Sequence, residues 1–138
     1  QLDGKAYLVK ITQDYFGTLG DTLGICKFPL NAWRPYTPTR VAQAVALATG
    51  WDITLEELLT AGERIYNLCR MFNVREGISR ADDTVPVRLG QPLPEGATAG
   101  ETFRAEDLAK LLEEYYALRG WDENGVPRPE TLARLGLR

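Results

Sequence analysis

The chain has 138 residues, 44% hydrophobic and 25% charged, with sixteen basic and nineteen acidic side chains for a net charge of −3. That length suits a single domain, residues 1–138, able to bury roughly two thirds of its unfolded surface without disulfides. The mild acidity speaks against a nucleic-acid partner, and the absence of histidine removes Ser-His-Asp and Cys-His nucleophile pairs and histidine zinc sites.

No apolar run approaches the roughly eighteen residues of a membrane span, and no signal-peptide pattern opens the chain. The two cysteines read as reduced thiols of a cytoplasmic protein.

Helical periodicity dominates the chain in order. Leu8, Ile11, Tyr15, Phe16 and Leu19 recur at three- and four-residue steps and predict a first helix that runs into Gly17 and Gly20. Asp21 then stands at or just beyond a helix end. A proline-containing segment, FPLNAWRPY (28–36), is irregular. Thr37 before Pro38 reads as a helix cap and first turn, with Gly50 as the stop, and the alanines between suit close helix approach.

Thr54 and Glu57 form a capping box, with Ile53 and Leu58 as its hydrophobic staple. The stripe Leu58, Ile65, Cys69 and Phe72, with Gly62 at the missing step, predicts a core face and makes Cys69 structural. From Gly77 to Thr102 the periodicity disappears into a long Pro/Gly-rich loop, of a length usually functional or disordered. Leu108, Leu111, Leu112, Tyr115 and Leu118 mark a further helix ended by Gly120. A WDENGVPRPE turn leads to Pro129 and a final anchor of Leu132, Leu135 and Leu137. No β-alternation emerges, so the fold class is all-α: an irregular multi-helix domain with one long loop.

Chemistry-bearing candidates are few. Glu56, Glu57, Glu63, Glu113 and Glu114 read as solvated helix faces. Asp82 and Asp83, near Arg80, read as capping or turn residues. Tyr115, Tyr116 and Trp121 read as core and interface packing rather than a stacking platform. The DTLGICKF stretch (21–28) is the informative one, because it places a carboxylate, a glycine and Cys26 within six residues. A thiolate in a glycine turn suits a soft metal or an iron–sulfur cluster, yet one thiolate cannot hold a cluster that needs four. From the residues alone Cys26 is either a small buried hydrophobe or a ligand whose partners lie elsewhere, and Asp21 either caps a turn or accepts hydrogen bonds from a heterocycle.

DTLGIC, AGERIYNLCRMFNVREG (61–77), SRADDTVP (79–86), EYYALRGWDENGVP (114–127) and the closing LARLGL, in this order, resemble the C-terminal helical region of tungsten-containing aldehyde:ferredoxin oxidoreductases. The resemblance covers nearly the whole chain. It implies that Cys26 gives one thiolate to a [4Fe–4S] cluster, that Asp21 hydrogen-bonds a pterin, and that the Ile25 backbone contacts the pterin. The implied cofactors of the complete enzyme are a bis-molybdopterin tungsten centre (tungstopterin) and that cluster.

The family's upstream CxxCxxxC motif, its N-terminal β-rich domain, and its glutamate and histidine near the metal have no counterpart in this sequence. The expected role is therefore part of an aldehyde-oxidising enzyme with ferredoxin as acceptor. The chain alone is expected to carry no cofactor and to need N-terminal cofactor-binding domains or a subunit as partner. The Gly77–Thr102 loop is expected to help shape the entrance for the aldehyde. The alternative is a non-catalytic helical interaction module descended from that family.

Overall fold

The computed structural model describes residues 2–17, 22–26 and 37–137. Among the described residues there are five α-helices: α1 (Lys5–Phe16), α2 (Pro38–Thr49), α3 (Leu55–Arg75), α4 (Ala105–Arg119) and α5 (Pro129–Arg134). No strand occurs among the described residues, and a single bridge pairs Trp121 with Pro127. The all-α expectation holds. Leu19, Gly20, Asp21 and the 28–36 segment lie outside the described residues.

Local chemistry sets the helix ends. The Thr37 side chain accepts from the Arg40 N–H and Pro38 opens α2, while Gly50 closes it at φ 73°. Thr54 and Glu57 satisfy each other's backbone N–H at the start of α3, as the capping box requires. Ile53 packs with Leu58 against Val41, Ala42 and Val45, which joins α2 to α3. Gly120 ends α4 at φ 68°, and Pro129 opens α5.

The longest helix, α3, packs against α1, which in turn packs against α4. Here the apolar stripes mislead. On α1 it is Ala6 and Asp14 that are buried, whereas Leu8 is 55% exposed. On α3 the buried residues are Leu58, Gly62, Glu63, Asn67 and Arg70, whereas Cys69 and Phe72 are exposed. The predicted core position of Cys69 is thus corrected, and so is the solvated reading of Glu63. The buried faces are built from small and polar residues, so a pattern of leucines does not mark them. Gly17 shows the small-residue part of this: a Cβ there would lie 2.6 Å from the Tyr66 ring.

Between α3 and α4 the chain makes two short 3₁₀ turns, Arg80–Asp82 and Val87–Gly90. Ser79 and Asp82 form a second capping box on the first turn. Backbone bonds from Phe103 to Leu89 and from Gly100 to Leu93 tie the rest of the segment to itself.

Candidate cofactor-facing site

Residues 22–26 follow α1. The Thr22 hydroxyl donates to the Gly17 carbonyl at 2.9 Å, fixing the start of the segment against the helix end. Gly24 sits at φ 66°, a left-handed conformation that a side chain would strain, although nothing lies within 4 Å of where its Cβ would be. Ile25 packs on the Val41, Ala42, Val45 and Leu58 cluster. Its side chain therefore anchors the segment, and the next residue, Cys26, is left exposed. A thiol held beside an anchored residue, behind a backbone with no side chain at Gly24, can be approached by a large flat group. Asp21 lies outside the described residues.

Among the described residues, no group of three or more His, Cys, Asp or Glu side chains is placed to hold a metal. Cys69 is also exposed, but it lies on a different wall, in a cavity between α1, α3 and α4.

The helices are clasped by buried ionic and polar groups, among them Asp14, Arg70 and Arg119, for which the sequence offered no signal. Arg119 is fully buried and donates to Asp14 and to the Gln13 amide oxygen. Its Nε also donates to the Tyr115 hydroxyl, which itself donates to Gln13 at 2.6 Å. Arg134 binds the Glu63 carboxylate at 2.7 and 3.1 Å. Burial opposes ionisation of Glu63, but the Arg134 hydrogen bonds and the nearby Lys10, Arg134 and Arg119 charges prevail and hold its carboxyl below the ordinary glutamate range.

Asp83, expected to serve a turn, instead takes a two-pronged pair from Arg70 at 2.9 and 2.7 Å and a hydrogen bond from the Tyr116 hydroxyl. Burial first, then Asp83, pushes the Tyr116 hydroxyl up to about 12. Arg70 Nε donates to the Gly125 carbonyl at 2.7 Å, and Trp121 donates to the buried Asn67 at 2.8 Å. The expectation that Tyr115, Tyr116 and Trp121 pack together holds, with ring centroids 5.6–6.3 Å apart. Buried arginines such as Arg70 and Arg119 leave no periodic signature, since an arginine on a helix ordinarily reads as solvated.

Together these features define an all-helical domain whose buried ionic groups pair with one another and whose Cys26 thiol is exposed. The chain belongs to the aldehyde ferredoxin oxidoreductase family: the model for "Aldehyde ferredoxin oxidoreductase, domains 2 & 3" matches residues 1–137. It is 39% identical over 137 residues to a tungsten-containing aldehyde ferredoxin oxidoreductase of Pyrococcus furiosus, covering 98% of this chain and 22% of that protein. A tungsten-containing aldehyde ferredoxin oxidoreductase of Thermococcus kodakarensis is 38% identical over 138 residues, with the same coverage.

Among solved structures, the active site complex BamBC of benzoyl coenzyme A reductase, in complex with 1,5-dienoyl-CoA, superposes with a TM-score of 0.80 at 29% identity. That match covers 99% of this chain and 20% of the other. The chain thus spans about a fifth of the length of the curated relatives it matches. No described helix is long and apolar enough to cross a membrane.

Proposed function

We propose that this chain completes the cofactor cavity of a tungstopterin and iron–sulfur oxidoreductase that oxidises aldehydes to carboxylic acids. In this reading Cys26 supplies one thiolate to a [4Fe–4S] cluster, Asp21 accepts a hydrogen bond from a pterin, and the Ile25 main chain lies against the same ring system. The other three cluster ligands and the pterin phosphate cradle come from N-terminal domains or a subunit, so the chain is not competent alone. When bound, the two groups together supply the two-electron oxidation of an aldehyde and water to a carboxylic acid and two protons, with ferredoxin receiving the electrons. The protein's share is to position and tune them.

The observation that carries the reading is the contrast between adjacent residues. Ile25 is anchored on the core while Cys26 is exposed, behind a glycine in a left-handed conformation. A cysteine retained only for packing would be expected on the buried side of that pair. The Gly77–Thr102 segment would border the aldehyde entrance.

Iron content in the assembled oxidoreductase tests this. Cys26→Ala should lose the cluster's iron, whereas Cys69→Ala should retain it. Full iron in the Cys26→Ala complex would sink the proposal and favour a non-catalytic helical module.

A further inference from the structure

The helix clasp and the segment at Cys26 leave one part of the molecule unexplained. At the clasped end, α1 is locked to α4 through Asp14 and Arg119. Toward the Lys5 end of α1 a cavity of about 440 Å³ lies between α1, α3 and α4, within the ~300–1,000 Å³ range of small-ligand pockets. We propose that this cavity is a binding site for a small aromatic monocarboxylate. The inference does not depend on the cofactor reading above.

Three observations select that chemistry. First, the body of the cavity is apolar: Val9, Leu108, Leu111 and Leu112 line it, together with Tyr66 and Trp121. Aromatic walls of this kind favour an aromatic ring, through edge and offset contacts beyond area burial alone.

Second, the lining retains donors while its carboxylate is engaged. Both oxygens of Asp83 are occupied by Arg70, one of them also by Tyr116. Gln13 accepts at Oε1 from both Tyr115 and Arg119, which fixes its amide orientation and leaves the two Nε2 hydrogens without a partner among the described residues.

Third, the charge is unbalanced. Arg70 and Asp83 cancel, so the net charge of the lining comes from Lys5, which forms no ion pair among the described residues. An apolar body with donors and one cation calls for a ring bearing a carboxylate.

Cys69 is exposed on the same wall and makes the site testable, with exposed Cys26 as a reference outside it. The full chain would be alkylated with iodoacetamide, with increasing 3-phenylpropionate present. Modification at each cysteine would be read by peptide mass spectrometry. The proposal expects Cys69 to be protected selectively, at concentrations of roughly 1 mM or below, with Cys26 unaffected. Lys5→Gln, an exposed change at the start of α1, should raise the half-protecting concentration about fivefold, the loss of one solvent-exposed charge contact.

Equal protection by the neutral 3-phenylpropanamide would overturn the assignment of an anion. Absence of selective protection would overturn the site. Cys69 that is unreactive before ligand is added would mean that protein fills the cavity, and would overturn it as well.

Discussion

The clasped helices and the segment at residues 22–26 use their reactive side chains in opposite ways. In the clasp, Asp14 and Arg119 are buried and fully engaged with each other and with Gln13 and Tyr115. In the segment, an apolar residue is turned inward and the thiol of Cys26 outward. The comparison teaches where burial of a reactive group is informative. A buried ion pair needs all of its partners within the chain, because an unmatched charge in a dry interior costs several kcal/mol. A group meant for an external ligand has to stay accessible, and contributes little to folding until that ligand arrives. The two regions should therefore respond to mutation in opposite senses.

The largest effect belongs to the clasp. Arg119→Met leaves the buried Asp14 with Lys10 as its remaining ion-pair partner at 2.8 Å and should destabilise the chain by about 3 kcal/mol, read as a fall in the urea midpoint. Adding Asp14→Leu to it should recover part of the loss, since part of the penalty lies in a buried carboxylate left with fewer partners. A double variant as unstable as the single one would show that shape, not charge, holds α1 to α4.

A smaller effect is expected at Gly125, in the turn that places its carbonyl on Arg70. Its φ is 75°, and an added Cβ would collide with the Arg70 guanidinium and press on the Tyr116 ring. Gly125→Ala should cost about 2–3 kcal/mol in thermal or urea unfolding, combining left-handed strain with displacement of the Arg70–Asp83 pair. Gly24→Ala isolates the first term, because its Cβ would meet open space. A loss of only about 1 kcal/mol is expected there.

What the sequence conveyed divides along the same line. Capping at Thr54–Glu57, the Thr37–Pro38 start and the Gly120 stop are local chemistry, with every partner within a few residues, and they were legible. The buried faces were not. Asp14 meets Arg119 across 105 residues, and Glu63 meets Arg134 across 71. A one-dimensional pattern contains no term for such pairs, so Glu63 read as solvated and Cys69 as core. At the site, the glycine and thiol of DTLGIC were visible as residue types. Which of Ile25 and Cys26 faces inward depends on packing against α2 and α3, and that only the fold decides.

The Glu63–Arg134 pair sharpens the comparison through pH. The folded-state carboxyl of Glu63 titrates below its unfolded value, so its contribution is complete above the ordinary glutamate range and is lost as pH falls through the folded value. Because Arg134 is more than half exposed, the pair is worth only about 1 kcal/mol near neutrality. Glu63→Gln should be less stable than the parent chain by about that amount at pH 7, and the gap should close as pH drops below about 4.3. A gap that persisted unchanged at pH 3 would mean that Glu63 contributes by shape or neutral hydrogen bonding.

The smallest stability effect is expected where the functional effect is largest. Cys26 is exposed, and truncation of an exposed side chain outside any buried network ordinarily changes stability by no more than about 0.5 kcal/mol. Cys26→Ala should therefore unfold in urea with the same midpoint as the parent chain, while stripping iron from the assembled oxidoreductase. Ile25→Ala reverses the expectation. Shortening the residue that anchors the segment on Val41 and Leu58 should cost about 1–2 kcal/mol in the isolated chain, less than a fully buried truncation because Ile25 is only partly covered. If Cys26→Ala proved the more destabilising of the two, the thiol would be a packing group after all, and the division between an internally engaged clasp and an outward-facing segment would fail at its most specific point.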